Sequence, residues 1–496
     1  MRQALLLISI LFSISVSSYD GVISGITIYD NCNNSPYGDC GALWRANGSF
    51  TTNYPGGDGI VINNQLLSGY KPYWGIGAAL TESSGYLMDQ LQNANPSTYS
   101  RVIQETEVFT SFRIPIGTSD FAVAEWTFVS NSTDWDMTSF NIENDKYSRP
   151  LLNAILQSRA NAGKVRPVTL FFSVWTPPIW LKTNSAWEYE QLAQLTNTYY
   201  QGVANYILKF ISELPNYIQS GNQHVVQKIY ISIQNEPFQS PGSNLPGCSL
   251  SVNDQIQIIN FVNAGNFNNY NLGNLPLPEI LVLDHNWDIE NDAEQIMRGV
   301  SAAGVAFHAY GGTYTAQQTF RNNFPNSEIH MTEFSGSYTD EPLGTLGWDS
   351  ANIIFGSLGL YGQSVTYWNL MLNDAGGPTN PETPGYCTSC NGVFRLTSGN
   401  SVVYKQPRYF TLGLPSSCIP YGASRLQTSF TSGSMGNSLS VMAFKGPSPD
   451  PNGLSEYCLL ISNTSSNEET IYVQFNNQYL PITLDASDMT SVFFTA

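Results

Sequence analysis

Residues 228–237 read KIYISIQNEP, an apolar and β-branched run that leads directly into Asn235, Glu236 and Pro237. Proline cannot continue a hydrogen-bonded ladder, so the strand predicted here ends at this tripeptide. The polar ending has two explanations: either the strand simply stops, or it holds Glu236 at the edge of a pocket. The residues that follow the other predicted strands decide between these two explanations.

Seven further stretches repeat the pattern, with longer amphipathic segments between them such as Trp187 to Leu214 and Ala293 to Gly299. All eight are short apolar runs that end on polar or aromatic residues: WGIGAALTES (74–83), SFRIPIGTSDF (111–121), RPVTLFFSVWTPP (166–178), KIYISIQNEP (228–237), EILVLDHNWD (279–288), GVAFHAYGG (304–312), SEIHMTEFSG (327–336) and SVTYWNLML (364–372). Continuous apolar strands that alternate with helices are typical of a parallel sheet covered on both faces. Eight such units predict an α/β protein with a (β/α)8 TIM barrel.

The two ends of the chain have a different character, rich in Thr, Ser, Tyr, Val and turn residues. Stretches such as SLSVMAFKGP, EYCLLISNT and ETIYVQFNN alternate with a period of two, which is typical of antiparallel strands. We therefore expect one accessory all-β sandwich domain formed by both chain ends. The predicted order is a signal peptide (1–18), the first part of the β-domain (19–70), the barrel (71–407) and the second part of the β-domain (408–496).

The bulk properties indicate a secreted or lumenal protein. The 496 residues carry a formal net charge of −18 with a pI near 4.5, so no basic patch is available for nucleic acid. Arg2, the apolar run from Ala4 to Val16 and the small residues after it predict a signal peptide rather than a membrane anchor. We expect the secretory pathway, with a lysosomal or extracellular destination and an acidic working pH.

Sequons and cysteines support this route. Four Asn-x-Ser/Thr sequons begin at Asn33, Asn47, Asn131 and Asn463. Of the seven cysteines, Cys32 and Cys40 are expected to form a disulfide in an oxidising compartment. Cys387-Thr-Ser-Cys390 lacks the second half of a zinc site, which favours a disulfide or a tight loop. At least one cysteine stays unpaired or bonds to another chain.

In a TIM barrel the site lies at the carboxyl ends of the strands, so polar residues there are candidates for chemistry. Taken singly, Glu82, Asp120 and Glu236 could be helix caps, and His308 could be a core histidine. Taken as a set, the strand ends indicate a functional site. They carry Glu82, Asp120, Trp175, Asn235, Glu236, Asp284, His285, Asn286, His308, Tyr310, Glu333, Trp368 and Asn369.

Glu236 and Glu333 follow the fourth and seventh predicted strands, so their carboxyls can converge on one cavity. Glycosidic hydrolysis needs such a pair: a protonated acid for the leaving oxygen and an ionised carboxylate for the anomeric carbon. Apolar burial would raise the pKa of the acid, and positive charge from Arg113 would lower that of the nucleophile. Asn235 could bind the sugar 2-hydroxyl, and Trp175 and Trp368 could pack against its C–H bonds.

Other mechanisms lack their motifs, since the chain has no His-x-His, His-Glu-x-x-His or Gly-x-Ser-x-Gly spacing. No metal and no cofactor is expected. An inverting enzyme is an alternative, with carboxyls roughly 6.5–9.5 Å apart instead of roughly 5–5.5 Å. A non-catalytic carbohydrate-binding protein on the same barrel is another alternative.

Several stretches resemble glycoside hydrolase family 30, the glucosylceramidase family, from about residue 70 to the C-terminus. They are GIGAALTESS, FRIPIGTSDF, WTPPIWLKTN, ISIQNEP, HAYGG, MTEFSG, WNLMLNDAGGP and RYFTLGLPSSCIPYGASRL. The resemblance implies a retaining mechanism with Glu236 as acid/base and Glu333 as nucleophile. It also implies sugar contacts from Trp175, Asn235, Tyr310 and Trp368, and Arg113 and His308 complete the predicted site.

Two positions depart from the animal glucosylceramidases: Glu82, where they have Asp to hold distal sugar hydroxyls, and Ala309, where they have Trp. The DHNWD stretch and the Cys387–Cys390 loop look more like the β-1,6-glucanase branch of the family. The resemblance implies a β-glucoside substrate, with glucosylceramide as the first candidate and β-1,6-glucan as the alternative. A glycolipid substrate would bring peripheral contact with a lipid surface.

Overall fold

The structure is a computed structural model that describes residues 20–28, 39, 41–162, 166–447 and 454–496. The predicted signal peptide, the sequon at Asn33 and the predicted Cys32–Cys40 disulfide lie outside the described residues. No helix within those ranges is long and apolar enough to cross a membrane.

All eight predicted strands form one closed parallel barrel, which confirms the predicted fold class. In chain order, barrel strands one to eight are Gly75–Ala79, Ser111–Ile116, Val168–Val174, Val226–Ser232, Glu279–Asn286, Gly304–His308, Glu328–Glu333 and Ser364–Tyr367. The eighth strand closes the barrel on the first, with Tyr367 opposite Ala78. These strands are almost wholly buried, as expected when helices cover the outer face and side chains fill the interior.

The helices are Glu82–Ala94, Pro96–Glu105, Ser148–Ala160, Asn197–Tyr217, Val252–Ala264, Glu290–Gly299, Ala316–Asn323, Pro342–Trp348, the π-helical segment Asp349–Leu358, and Pro407–Cys418. The prediction of a helix from Trp187 was wrong at its start, because tertiary contacts hold residues 187–196 in a loop. Tyr189 is buried there and donates its hydroxyl to the carbonyl of Asn235 at 2.6 Å. Glu190–Gln191 pairs with Cys248–Ser249.

The chain ends form one all-β domain, as predicted. Its nine strands are Asp20–Ile28, Gly41–Ser49, Gly59–Leu66, Ser424–Phe430, Leu439–Lys445, Glu456–Asn463, Glu469–Phe475, Gln478–Leu484 and Asp488–Thr495. They make one hydrogen-bonded sheet that folds over its own apolar core, which includes Phe50, Val473 and Phe494. Thr51 and Tyr479 bridge the two ends of the sheet. The first of these strands pairs antiparallel with the last, with Ile23 opposite Val492.

A three-stranded sheet of Met371–Asn373, Phe394–Leu396 and Val403–Lys405 follows the eighth barrel strand. The helix Pro407–Cys418 then contacts both the first barrel strand and the β-domain. Cys418 forms a disulfide with Cys458, which fastens this helix to the β-domain. The predicted boundary at residue 408 falls at the start of this shared helix.

The described sequons differ in access. Asn47 and Asn131 are exposed. Asn463 is only 2% exposed, and its Nδ2 donates to the carbonyls of Asn467 and Asp485 at 2.9 Å each. A glycan on Asn463 therefore does not fit the folded domain.

Candidate active site

A cavity of about 440 Å³ opens at the carboxyl ends of the barrel strands. It contains six of the nine predicted site residues: Trp175, Asn235, Glu236, Tyr310, Glu333 and Trp368. The remaining lining residues are Asp120, Tyr189, Gln239, Leu245, Asn286, Ser335, Tyr386, Cys387 and Cys390. Arg113 and His308 lie behind this lining and contact it, whereas Glu82 does not line the cavity.

Glu236 lies in the loop after barrel strand four. Its φ of 43° is in the left-handed region, which is uncommon for a residue other than glycine and costs about 1–3 kcal/mol. Its N–H donates to the carbonyl of Asp284 at 3.0 Å, which holds this conformation. The carboxyl accepts a hydrogen bond from Gln239 Nε2 at 2.9 Å.

Glu333 is the last residue of barrel strand seven, and its carboxylate accepts two hydrogen bonds. The donors are the Arg113 guanidinium and the Tyr310 hydroxyl, the latter at 2.9 Å. One oxygen of Glu333, one oxygen of Glu236 and a ring nitrogen of His308 all lie within 4.8 Å of one another. The two predicted carboxyls therefore meet in one cavity.

Asp284 organises this pair from behind, and its role was missed in the sequence. It accepts hydrogen bonds from Arg113 Nη2 at 2.8 Å, Ser173 Oγ at 2.6 Å and Thr332 Oγ1 at 2.7 Å. Barrel strand five bulges at this point, with φ of 74° at Leu283 and 50° at Asp284. The bulge directs the Asp284 side chain into the barrel. Neither the composition nor the periodicity of the sequence predicts such a bulge.

His308 lies between two carboxylates. Nδ1 is 3.0 Å from Glu236 Oε1, and Nε2 is 3.1 Å from Asp284 Oδ1. Burial opposes a charge on the imidazole, but Glu333 and these two carboxylates together raise the pKa of His308 to about 9. His308 is fully buried, yet it is a part of the site rather than only a filler of the core.

The pKa shifts of the glutamates differ from the sequence expectation. Burial raises the pKa of Glu236, but the hydrogen bond and the charge of His308 outweigh it and lower the value to about 2. Burial raises the pKa of Glu333, against the positive charges of His308 and Arg113. His308 Nδ1 and Glu236 Oε1 are 3.0 Å apart, so the two side chains titrate as a coupled pair.

Trp175 and Trp368 stack on each other, with ring centroids 4.7 Å apart and planes 10° apart. The Arg113 guanidinium also lies 4.7 Å from the Trp175 ring centre. One face of each indole is therefore covered, and the two rings are only 2% and 3% exposed. Both indoles still line the cavity, Trp175 also contacts Arg113, and Tyr310 and Tyr386 are the more exposed aromatic residues of the lining.

Of the two acidic residues that follow barrel strands one and two, Asp120 lines the cavity and Glu82 does not. Glu82 begins the helix Glu82–Ala94, and its carboxyl accepts from Trp126 Nε1 at 2.6 Å. Burial raises its pKa to about 7. Asp120 lines the cavity instead, and burial and the charge of Glu333 raise its pKa well above the usual range. Its position after barrel strand two was the available clue.

The cluster of Glu236, His308 and Glu333 has ligand spacing that could accommodate a cation. However, the Arg113 guanidinium already binds Glu333, and both ring nitrogens of His308 contact carboxylates. The positive charge that the carboxylates require is therefore supplied by side chains of the chain itself.

The Cys387–Cys390 pair is a disulfide in the cavity wall, as favoured by the sequence over a zinc half-site. Cys248 is buried and unpaired among the cysteines that the structure describes. The cysteines that the structure describes thus form two disulfides, which is consistent with an oxidising compartment.

Comparison with known proteins places this geometry in a family. Residues 74–419 match the family model of the glycosyl hydrolase family 30 TIM-barrel domain. The chain is 27% identical over 425 residues to the endo-1,6-beta-D-glucanase BGN16.3 of Trichoderma harzianum, covering 82% of this chain and 80% of the fungal protein. It is 24% identical over 403 residues to the lysosomal acid glucosylceramidase of Mus musculus, covering 75% and 72%.

Solved structures show the same fold. The endo-beta1,6-glucanase BT3312 superposes with a TM-score of 0.76 at 22% identity, covering 95% of this chain and 99% of the other. SrfJ from Salmonella typhimurium gives a TM-score of 0.73 at 19% identity, covering 96% and 99%. Because the family model spans more than half of the chain, this protein belongs to glycosyl hydrolase family 30 and is a glycosidase.

Proposed function

We propose that the protein is a retaining β-glycosidase that cleaves β-glucosidic bonds by double displacement, with Glu333 as nucleophile and Glu236 as acid/base. The observation that carries this proposal is the separation of the two carboxyls, whose nearest oxygens lie within 4.8 Å. Retaining enzymes hold their carboxyls roughly 5–5.5 Å apart, whereas inverting enzymes need roughly 6.5–9.5 Å to admit a water molecule between sugar and base.

The first step forms a bond between a Glu333 oxygen and the anomeric carbon and breaks the bond to the leaving oxygen. Arg113 and Tyr310 orient the Glu333 carboxylate for this attack. The proton held by the Glu236–His308 pair passes through Glu236 to the leaving oxygen. In the second step, Glu236 accepts a proton from water, the water oxygen bonds to the anomeric carbon, and Glu333 leaves as a free carboxylate.

The walls of the cavity supply the contacts to the sugar. The side-chain oxygen of Asn235 accepts from Arg113 at 2.9 Å, which leaves the amide nitrogen as a donor for the 2-hydroxyl. Such a contact strengthens in the transition state. The Asp120 carboxyl provides a further polar group around the ring.

The substrate carries a β-glucosyl unit, and two classes remain candidates: a glycolipid such as glucosylceramide, and a β-1,6-linked glucan. Both names occur among the similar proteins. The described disulfides and the predicted signal peptide support a secretory route, with work in a lysosome or outside the cell.

The test is hydrolysis of 4-nitrophenyl β-glucoside, glucosylceramide in detergent and β-1,6-glucan by the secreted protein, with Glu333→Gln as the matched blank. We expect release of glucose or gluco-oligosaccharide at mildly acidic pH, with the β-anomer formed first by proton NMR. The α-anomer as first product would contradict retention. Binding of these sugars without any turnover would instead support the non-catalytic carbohydrate-binding alternative.

A further inference from the structure

The peptide bond that joins Asn235 to Glu236 is held at both of its polar groups. Its carbonyl oxygen, on Asn235, accepts from the Tyr189 hydroxyl at 2.6 Å and from Gln234 Nε2 at 3.1 Å. Its N–H, on Glu236, donates to the carbonyl of Asp284 at 3.0 Å. Because a peptide unit is planar, contacts at both edges fix its orientation, and this orientation helps to hold the φ of 43° that directs the Glu236 side chain.

Tyr189 reaches this peptide bond from the loop after barrel strand three. The residue is fully buried, and a Cβ added to Gly247 would lie 2.2 Å from its ring, so the ring packs directly against the backbone there. The backbone of Tyr189 pairs with the loop after barrel strand four. Its N–H donates to the carbonyl of Leu245 at 2.9 Å, and its carbonyl accepts from Gly242 at 2.7 Å. The position of the Tyr189 hydroxyl therefore depends on how these two loops are joined.

The side chain of Lys182 joins the same two loops. Its ammonium donates to the carbonyls of Trp187 at 3.0 Å and Glu188 at 2.9 Å, in the loop after strand three. It also donates to the carbonyl of Gly247 at 2.7 Å, in the loop after strand four. A protonated lysine has three N–H donors, so these three carbonyls use all of them.

This lysine is buried together with its charge. Lys182 is 2% exposed, and its three hydrogen-bond acceptors are neutral carbonyls. Burial lowers its pKa to about 8, so the ammonium keeps all three donors at mildly acidic pH. Because burial of a charge costs free energy, an apolar side chain would serve a packing role better. The three donors are therefore the property that distinguishes Lys182 from a core residue.

We propose that Lys182 is a positioning residue for acid catalysis by Glu236. Its three contacts hold the two loops together, the joined loops hold Tyr189, and the Tyr189 hydroxyl holds the peptide bond before Glu236. Lys182 itself lies outside the lining of the catalytic cavity, so it acts only through these groups. This inference rests on the proposed function, in which Glu236 is the acid/base.

The leaving group of the substrate separates the position of the acid from a general loss of structure. Phenyl β-glucoside needs a proton on its leaving oxygen, whereas 2,4-dinitrophenolate departs without one. The ratio kcat/KM reports the steps up to glycosylation. We expect Lys182→Met to lower kcat/KM about tenfold or more for the phenyl glucoside and less than about twofold for the dinitrophenyl glucoside. Equal reduction for both substrates would overturn the inference.

Tyr189→Phe examines the last contact of the chain without removing a buried charge. It keeps the ring and the Lys182 contacts but loses the hydroxyl, so it should also affect the phenyl glucoside more. Because both residues act on one peptide bond, the reduction in the double variant should be smaller than the product of the two single reductions. Single reductions that multiply in full would overturn the link between Lys182 and Tyr189.

Lys209→Met is the control for loss of a lysine, at a partly exposed side chain paired with Glu213, and should leave both substrates unchanged. If Lys182→Met does not fold, Tyr189→Phe decides alone, and equal reductions in that variant overturn the inference. A wild-type enzyme that hydrolyses neither glucoside would overturn the proposed function. A wild-type enzyme that hydrolyses both, with equal reductions in the variants, would overturn only the role of Lys182.

Discussion

Arg113 and Asp284 form an ion pair behind the cavity lining, with Nη2 2.8 Å from Oδ2 and each side chain 1% exposed. Arg113 also binds Glu333, and Asp284 also binds His308, which in turn contacts Glu236. The two glutamates are therefore positioned through one buried network, and a change at Asp284 affects both.

Asp284→Asn should lower both stability and activity. Breaking a buried ion pair costs about 3–5 kcal/mol because the remaining charge is left uncompensated, so urea unfolding should show a loss of that size. The raised pKa of His308 depends in part on Asp284, so it should fall and move the alkaline limb of kcat/KM to lower pH. Asp145→Asn, at a buried aspartate bound to Tyr217, is the control. An unchanged alkaline limb would contradict the network.

Glu236→Ala should separate the roles of the two glutamates. With 2,4-dinitrophenyl β-glucoside, whose leaving group departs without a proton, glycosylation should proceed and hydrolysis of the intermediate should become limiting. Added azide should then accelerate turnover and give the β-glucosyl azide, as shown by NMR. Glu333→Ala is the counterpart, for which azide should give the α-azide; the reverse outcome would exchange the two assignments.

Tyr310→Phe should shift the acidic limb of the pH profile. Burial raises the pKa of Glu333, and the Tyr310 hydroxyl is one of the groups that counter this effect. Without that hydroxyl the pKa of Glu333 rises further, so ionised Glu333 is lost at a higher pH as the solution is acidified. We expect a rate reduction on the order of 10² and an acidic limb at higher pH. Tyr386→Phe, which lines the same cavity without contacting Glu333, should leave that limb in place.

Glu82→Gln should stabilise the protein above pH 7 and leave it unchanged near pH 4. The pKa of Glu82 is raised by burial from 4.5 to about 7, so the folded state keeps the proton that the unfolded state releases. The stability that the protonated Glu82 contributes is fully present below the pKa of this group in the unfolded chain. It is lost as the pH rises through the pKa of Glu82 in the folded protein. The difference reaches about 3 kcal/mol, since one pKa unit corresponds to about 1.36 kcal/mol.

Unfolding free energies across this pH range test the Glu82 prediction, because glutamine can still accept from Trp126. The exposed Glu468→Gln is the control. A stability gain that does not vary with pH would contradict the titration.

The two described disulfides should differ in how much they contribute to the free energy of unfolding. Cys418 and Cys458 are 40 residues apart, so their removal should cost about 4 kcal/mol of unfolding free energy by loop-closure entropy. Cys387 and Cys390 are 3 residues apart, and their removal should cost about 2 kcal/mol, with the main effect on KM. Urea unfolding of the paired alanine variants checks this order, and equal losses would argue against it.

The sequence was sufficient for the eight barrel strands, because each combines an apolar run with a polar ending. It also led to Glu236 and Glu333, since strand ends of a parallel barrel share one face. The helix start at Asn197 was not predictable, because the contacts of Tyr189 with Asn235 and of Glu190–Gln191 with Cys248–Ser249 are long-range.

The finer assignments within the site depend on geometry that periodicity does not carry. The bulge at Leu283 and Asp284 brings the Asp284 carboxylate to Arg113 and His308. The stacking of Trp175 on Trp368 covers faces that the residue types alone would leave open. Likewise, Glu82 begins a helix and its carboxyl contacts Trp126, so it does not reach the cavity. Asp120 lines the cavity.

The pairing of Asp20–Ile28 with Asp488–Thr495 has a consequence for synthesis. A ribosome completes all eight barrel strands while the nine-stranded sheet still lacks the six strands between residues 424 and 495. One edge of the strand Asp20–Ile28, which pairs with Gly41–Ser49 on its other edge, therefore stays unpaired until residues 488–495 have been synthesised. Unpaired edges recruit other chains, so translation that stops before Asp488 yields a finished barrel attached to an aggregation-prone edge.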